Sequence, residues 1–141
     1  MNYHFQINKE KTGFWAECCE LHGCVTQADF LEEIELSCEN ALNMYLEEPN
    51  DSRLVFQLPD VSLDSNNNFL KVAVQPEIAL AVLLRYYRSN SKMTQKQVSE
   101  LLGMKNLYSY QRLEKKSNPT LSIIKKIHTI FPDIKLDYIF Q

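Results

Sequence analysis

Hydrogen-bonding and basic side chains are concentrated in the segment TQKQVSELLGMKNLYSYQRLE, which runs from Thr94 to Glu114, and in the two lysines that follow it. Amide, hydroxyl and guanidinium groups read base edges in DNA, and lysines neutralise backbone phosphates. We therefore predict that these side chains bind DNA: Gln95, Lys96, Lys105, Asn106, Tyr108, Ser109, Gln111, Arg112, Lys115 and Lys116. Arg112 is the candidate for a bidentate bond to guanine or for a phosphate contact.

Two short helices around a tight turn would hold these side chains, and this is the layout of a DNA-binding helix-turn-helix. Thr94 and Gln97 have the spacing of a capping box, and Gly103 suits the left-handed conformation that ends a helix. The apolar spacing predicts which side chains face inward. They are Val98, Leu101 and Leu102 in the first helix and Tyr110 and Leu113 in the second. A plain helical hairpin inside a small bundle is the alternative.

The two halves of the chain carry opposite net charge. Residues 1–75 contain 4 basic and 13 acidic side chains, a net charge of −9, and residues 76–141 contain 11 and 5, a net charge of +6. A basic region favours a polyanionic ligand, and an acidic region favours a basic partner. The change of sign predicts two domains, 1–75 and 76–141.

The change of charge coincides with a change of apolar period, which predicts an α+β protein. Before Pro76, alternating apolar residues predict strands near the start of the chain and again at 54–58 and 70–74. A helix-period segment lies between them, beginning after Asp29, so the predicted order is βββαββ. After Pro76 the pattern predicts an all-α domain of four to five helices, with Leu121, Ile124 and Ile127 inward in the last long one.

Metal binding and catalysis are the other chemistries that the residue types raise. Cys18, Cys19, His22 and Cys24 are close in sequence, but neighbouring strand residues point to opposite faces and no second ligand pair follows at zinc-finger distance. We interpret them as ordinary thiols and predict no metal or cofactor. His4 and His22 lack the partners of a nucleophilic site. The sequence therefore predicts that the protein is not an enzyme.

The whole pattern resembles a HicB-type antitoxin with a C-terminal helix-turn-helix of the Xre or phage-repressor kind. In the first half the resemblance rests on the aromatic-rich opening strands and on GCVTQADFLEE before a helix. In the second half it rests on MTQKQVSELLGM, YQRLEK and NPTL, so it covers nearly the whole chain.

This resemblance implies a reduced RNase H-like N-terminal domain that covers a small HicA-type ribonuclease toxin. It also implies that the C-terminal domain represses its own operon by binding promoter DNA. The expected ligand is a palindromic double-stranded operator bound by a homodimer or higher homo-oligomer. Because a toxin that binds RNA carries basic surface, acidic side chains and one aromatic anchor are the candidates for toxin binding. They are Trp15, Glu17, Glu20, Glu32, Glu35 and Glu39.

Two alternatives stay open beside the antitoxin. One is a stand-alone transcription regulator whose first domain dimerises or binds a small ligand. The other is an atypical nuclease, which the first strand, NYHFQI, disfavours because it lacks the carboxylate that RNase H chemistry places there. The apolar runs are too short to cross a bilayer and the first residues lack a signal-peptide core, so we expect a cytoplasmic protein without a membrane partner.

Overall fold

An antiparallel sheet forms the scaffold of the first half of the chain. The computed structural model describes residues 1–47, 53–116 and 118–141. Within these ranges the strands are β1 (Asn2–Lys9), β2 (Phe14–Cys18), β3 (Val25–Ala28) and β4 (Leu70–Ala73), in the spatial order β3-β2-β1-β4. Residues directly opposite one another in neighbouring antiparallel strands share a face of the sheet. Tyr3 opposite Val72 and Phe5 opposite Cys18 therefore make one face apolar.

The helix α1 (Leu31–Glu47) covers this apolar face. Its buried residues Ile34, Cys38, Leu42 and Leu46 recur every fourth position, which places them on one side of the helix. The other face of the sheet is polar and carries the side chains that alternate with the apolar set, among them His4, Asn8, Trp15 and Glu17. The α+β class predicted from the sequence is confirmed.

The turn between β1 and β2 depends on Gly13. Its backbone has a φ of 88°, in the left-handed region that favours glycine, and its carbonyl accepts a hydrogen bond from the amide of Glu10 at 3.0 Å. A Cβ atom added at Gly13 would lie 2.7 Å from the carbonyl oxygen of Ala28 in β3. A side chain here would therefore push against the edge strand of the sheet.

The prediction of a strand at 54–58 was wrong, because the described residues 53–60 form no strand. The order is βββαβ, and both edges of the central strand β1 are already occupied by β2 and β4. Bonds from side chains fix this segment instead. The Tyr3 hydroxyl donates to the carbonyl of Gln57 at 2.8 Å, and the Arg85 guanidinium donates to that of Leu54 at 3.5 Å. The apolar alternation arises because Phe56 is buried. The centroid of its ring lies 5.5 Å from the centroid of the Tyr45 ring.

Four α-helices follow the sheet in the described part of the chain. They are α2 (Pro76–Asn90), α3 (Gln95–Leu101), α4 (Leu107–Leu113) and α5 (Leu121–Ile130), and a short 3-10 helix spans Leu136–Phe140. Pro76 opens α2 as predicted, where its missing N–H is not needed. In α2 every residue from Ile78 to Arg85 is buried, so this helix is enclosed on all sides rather than amphipathic.

Two apolar residues predicted to face inward are exposed. Leu101 is 58% exposed, because the buried pair Val98 and Leu102 lies one turn apart and turns the side of α3 that carries Leu101 outward. Leu121 is 83% exposed, because it is the first residue of α5 and the buried part of that helix is centred on Ile127.

The buried apolar side chains form a continuous cluster across both halves. It extends from Tyr3 and Phe5 in the sheet through Ile78 and Leu83 in α2 to Ile127 in α5. The predicted domain boundary at 75/76 falls immediately before α2, and the division into two domains stays a prediction. Among the described residues, no helix has the length and apolar character needed to cross a membrane.

Candidate functional site

Side-chain caps fix the backbone of α3 and α4, and the cap of α3 is the one that the sequence predicts. The Thr94 hydroxyl accepts the Gln97 amide at 3.1 Å and the Gln97 side chain accepts the Thr94 amide at 2.8 Å, which completes the capping box. Gly103 follows α3 with a φ of 70°. Asn106 then caps α4 by accepting the Ser109 amide at 2.9 Å, and it also accepts the Ser109 hydroxyl at 3.0 Å.

A buried carboxylate holds α4 against the rest of the protein. Glu114, only 2% exposed, accepts Arg88 Nε on Oε1 at 2.5 Å and Arg88 Nη2 on Oε2 at 3.2 Å. The Tyr110 hydroxyl donates to the same carboxylate at 2.6 Å, and the Gln95 amide donates to it at 2.7 Å. Arg85 donates to the Glu114 carbonyl at 2.7 Å. One residue after α4 is therefore bonded to α2, α3 and α4 together.

The protonation of this cluster follows from its partners. Burial alone lowers the pKa of Arg88, but the hydrogen bonds and charge of Glu114 outweigh burial and raise that pKa above its usual value. Burial, followed by the charge of Glu114, raises the pKa of the Tyr110 hydroxyl, which stays a donor. A carboxylate offers about four lone-pair sites, and the four side-chain donors fill them. The cluster is thus an ion pair with its hydrogen bonds satisfied.

The role of Glu114 was not predicted from the sequence. Arg85 and Arg88, two arginines in a helix whose middle is otherwise apolar, indicate a buried acidic partner but not which residue supplies it. Arginines buried in this way need an acidic partner, and Glu114 supplies it.

The ten predicted DNA-binding residues differ in exposure. Those exposed are Lys96, Lys105, Asn106, Tyr108, Arg112, Lys115 and Lys116, and those half-buried are Gln95, Ser109 and Gln111. Tyr108 is 68% exposed and Arg112 lies one turn further along α4, so both project from the same side of that helix. This side is opposite the buried Tyr110 and Leu113.

Several of the ten side chains have partners within the protein, among them Asn106 and Ser109, which bond to each other. Gln95 donates to Glu114 and accepts from the Gln111 amide at 3.3 Å, so it braces α3 against α4. The Lys116 ammonium lies 4.0 Å from the carboxylate of Glu47 at the end of α1. This pair is exposed to solvent and contributes little to stability.

The predicted acidic candidates on α1 lie side by side on its surface. Glu32, Glu35 and Glu39 are exposed and spaced by three and four residues, which places them along one side of the helix. Like charges at this spacing destabilise a helix. Two exposed apolar residues that the prediction lacked are on the same helix: Leu36, at 62% exposure and four residues after Glu32, lies beside this row, and Met44, at 65% exposure, lies farther along α1. They fall outside the helix-period apolar face, which is the signal that could have identified them.

The remaining candidates are in the sheet. Trp15 and Glu17 are half-buried on the polar face, opposite Asn8 and Gln6 of β1. Glu20 is only 9% exposed and accepts the backbone amides of His4 and Asp60, each at 3.0 Å.

Glu20 therefore belongs to a buried bridge and not to an accessible surface. Its carboxylate lies 2.8 Å from Nδ1 of His4, and Nε2 of the same ring lies 2.9 Å from Asp64. The ring is fully buried and ties the loop before β4 to the sheet. We leave Glu20 out of the proposed partner surface because its oxygens already accept bonds from within the protein.

The four cysteines are free thiols, and only Cys19 is exposed. Burial raises the pKa of Cys18 to about 12 and the pKa of Cys24 and Cys38 to about 11, so these thiols stay protonated. His22 accepts the Tyr45 hydroxyl through its backbone carbonyl at 2.8 Å. Over the ranges that the structure describes, no three His, Cys, Asp or Glu side chains are grouped so that they could hold a metal ion.

Comparison with known protein families and with curated proteins finds no match. The assignment of function therefore rests on these surfaces and on the resemblance of the motifs.

Proposed function

We propose that this protein is an antitoxin of the HicB type, which neutralises a small HicA-type ribonuclease toxin and represses its own operon. In this proposal α3 and α4 are a helix-turn-helix, and α4 is the helix that enters the major groove of DNA. The observation that carries it is the Glu114 cluster, which fixes α4 from behind and leaves Tyr108 and Arg112 exposed in front. Residues that are held in place before binding lose little conformational entropy when they bind.

The positions of the charged and polar side chains around α4 support separate roles in contacting phosphates and bases. The exposed Lys105 and Lys115 flank the helix and would contact phosphates, while Arg112 and Tyr108 face the base edges. A palindromic operator bound by a homodimer would double these contacts. The half of the chain that contains them carries a net charge of +6, which favours the approach of DNA.

Arg112→Ala tests the DNA-binding part of the proposal. A bidentate contact to guanine contributes about 1–3 kcal/mol, so we expect operator affinity to fall by about 5- to 150-fold. The assay is a gel shift at moderate salt with duplex DNA from upstream of the gene. Lys9→Ala is the matched control, because it removes one exposed positive charge from the sheet half. Unchanged affinity for Arg112→Ala would refute the role of α4.

The toxin-binding part rests on the outer side of α1. The acidic row and the exposed Leu36 and Met44 of the same helix combine charge for attracting a basic protein with apolar area for holding it. Trp15 and Glu17 lie on the opposite, polar face of a reduced RNase H-like sheet, so they would form a second part of the proposed contact, separate from α1. We propose no catalytic role for this half, whose function is to cover the active site of the toxin.

Co-expression with the product of the neighbouring gene tests this part. We expect a stable complex with a small basic protein to co-purify, and we expect the double variant Leu36→Ala/Met44→Ala to lose it. Leu121→Ala is the control, because Leu121 is also exposed and apolar but lies on α5. If the double variant retains the complex, the assignment of toxin binding to the outer side of α1 is wrong. If the unaltered protein binds DNA but no neighbouring product, a stand-alone transcription regulator replaces the antitoxin.

A further inference from the structure

The outer side of β3 forms an open edge of the sheet. In the described sheet β3 is the first strand in the order β3-β2-β1-β4, so β2 pairs with one side of it. Along an antiparallel strand, residues that bond to the neighbouring strand alternate with residues whose N–H and C=O groups point away from it. The Cys18 amide of β2 donates to the Cys24 carbonyl at 2.9 Å, which makes Cys24 and every second residue after it the bonded positions. The backbone N–H and C=O groups of Val25 and Gln27 therefore point away from β2.

This edge lacks the features that prevent edge strands from pairing with other chains. Those features include charged side chains, above all lysine, and proline. The opposite edge strand, β4, carries the exposed Lys71, whereas β3 has the sequence VTQA and contains neither a charge nor a proline. Within the ranges that the structure describes, the outward backbone groups of Val25 and Gln27 have no hydrogen-bond partner. The outer side of β3 is therefore a template on which a further strand can pair.

Apolar side chains around β3 would hold such a strand. Val25 in β3, and Phe30 and Leu31 where α1 begins, are each more than half exposed. The side chain of Val25 lies on the polar face of the sheet with Glu17 and Trp15, and α1 covers the other face. Because a strand alternates its side chains between the two faces of a sheet, an added strand would contact both. It would thus join the two separate parts of the proposed partner surface.

The charge around this edge determines which strand it would accept. Residues 12–47, which contain β2, β3 and α1, include eight acidic side chains and neither lysine nor arginine. Glu17 lies opposite Val25, and Asp29 directly follows β3. A second copy of the chain would bring two such acidic regions together, which electrostatic repulsion disfavours. A strand that carries basic residues is attracted instead.

We propose that β3 pairs with an edge strand of a basic partner protein, so that the sheet gains a fifth strand on binding. This inference rests on the proposed function, in which the partner is the toxin, and it specifies how the toxin is held. The outward backbone groups of Val25 and Gln27 bond to the added strand. In such strand addition the backbone bonds supply affinity and the alternate side chains supply specificity.

Hydrogen exchange of backbone amides is the first test. The purified complex with the product of the neighbouring gene is compared by NMR with the unaltered protein alone. A bonded amide exchanges only when its bond opens, so we expect the Val25 and Gln27 amides to exchange at least about tenfold more slowly in the complex. The Ala73 amide is the control. The Val74 amide donates to the Met1 carbonyl at 3.0 Å, so the Ala73 amide points out of the other edge, and its rate should not change.

Proline substitution is the second test, because proline has no N–H to donate to an added strand. Gln27→Pro removes one outward amide and leaves the bonds between β2 and β3 in place. A carbonyl of the partner strand would then be unpaired, which should weaken binding of the separately purified product by about 5- to 150-fold in titration calorimetry. Ala73→Pro is the matched control, because it removes an outward amide from β4 and should leave this affinity unchanged.

Two variants of Val25 test the charge of the partner strand. Val25→Lys and Val25→Glu remove the same apolar side chain and place opposite charges at the edge. A basic strand is repelled by the added lysine, so we expect Val25→Lys to bind the product at least about tenfold more weakly than Val25→Glu at ~0.05 M salt. Equal affinities would overturn the choice of a basic strand.

The outcomes separate this inference from the proposed function. If the complex forms but the Val25 and Gln27 amides exchange as fast as in the free protein, strand addition is wrong and toxin binding by α1 stands. If the neighbouring product does not bind, the proposed function fails and this inference fails with it. Slow exchange of the two amides in the protein alone, more marked at higher concentration, would show that a second copy occupies the edge and would also overturn it. Thermal melting shows whether each variant is folded, and if Gln27→Pro is unfolded, amide exchange in the unaltered complex decides.

Discussion

Replacing Glu114 with glutamine should separate α4 from its support. The substitution keeps the size of the side chain and removes its charge. Of the four side-chain donors, Arg88 Nε and Tyr110 meet Oε1, and Arg88 Nη2 and Gln95 meet Oε2. The glutamine amide offers only one acceptor oxygen, so two donors would face an NH₂ group that cannot accept them. The Arg88 guanidinium, with 6% of its residue surface exposed, would also lose its counter-charge.

The expected cost is large because a buried charge is left without its partner. Breaking a buried ion pair by removing one member costs about 3–5 kcal/mol. For a chain of this length that corresponds to a fall in melting temperature of roughly 10 °C or more. Glu100→Gln is the matched control, because Glu100 is exposed on α3 and its loss should change stability by less than about 0.5 kcal/mol.

The assay is urea unfolding of both variants, followed by circular dichroism. A loss below about 1 kcal/mol for Glu114→Gln would refute the reasoning, because it would mean that Arg88 has no need of the carboxylate. DNA affinity measured below the unfolding transition adds a second readout. We expect Glu114→Gln to weaken binding although Glu114 itself is buried away from the DNA.

Two further predictions concern the sheet half. Gly13→Ala should lower the free energy of urea unfolding more than Gly23→Ala does. Both glycines have a positive φ, and a side chain in that conformation costs about 1–2 kcal/mol. Only at Gly13 does a backbone atom lie within 3 Å of the new Cβ. Equal losses of unfolding free energy in the two variants would contradict this, because they would mean that β3 shifts at no cost to make room for the Cβ of residue 13. Iodoacetamide should modify Cys19 alone in the folded protein, because the other three thiols are buried and the reagent cannot reach them. Mass spectrometry should find one adduct that Cys19→Ser abolishes. More than one adduct before unfolding would contradict the described core.

The local structure around the proposed DNA site could be predicted because it is determined by neighbours in sequence. The Thr94 capping box, the left-handed Gly103 and the Asn106 cap each depend on contacts over three or four residues. The predicted strand at 54–58 could not be judged in this way, because pairing in a sheet depends on which edges are free. Alternation at 54–58 gives the same signal whether a segment pairs or only buries Phe56.

The partners of the buried charges lay equally beyond sequence reasoning. Arg88 and Glu114 are 26 residues apart, and nothing in the spacing links them. The same holds for His4 and Glu20, where an acidic side chain that suggests a surface contact instead binds backbone amides inside the protein. The exposure of Leu36, by contrast, could have been predicted, because Leu36 lies outside the helix-period apolar face of α1.

The enclosed helix α2 determines where this protein could be joined to part of another protein. A chimera joined at 75/76 would set a foreign α2 against α1, and the buried run from Ile78 to Arg85 would meet side chains with which it had not been matched. A junction in the exposed turn after α2, near Lys92, would keep that interface. It would still have to bring a glutamate in register with Arg88. A segment that is exchanged must therefore preserve the ion pair between Arg88 and Glu114 as well as begin at a suitable junction.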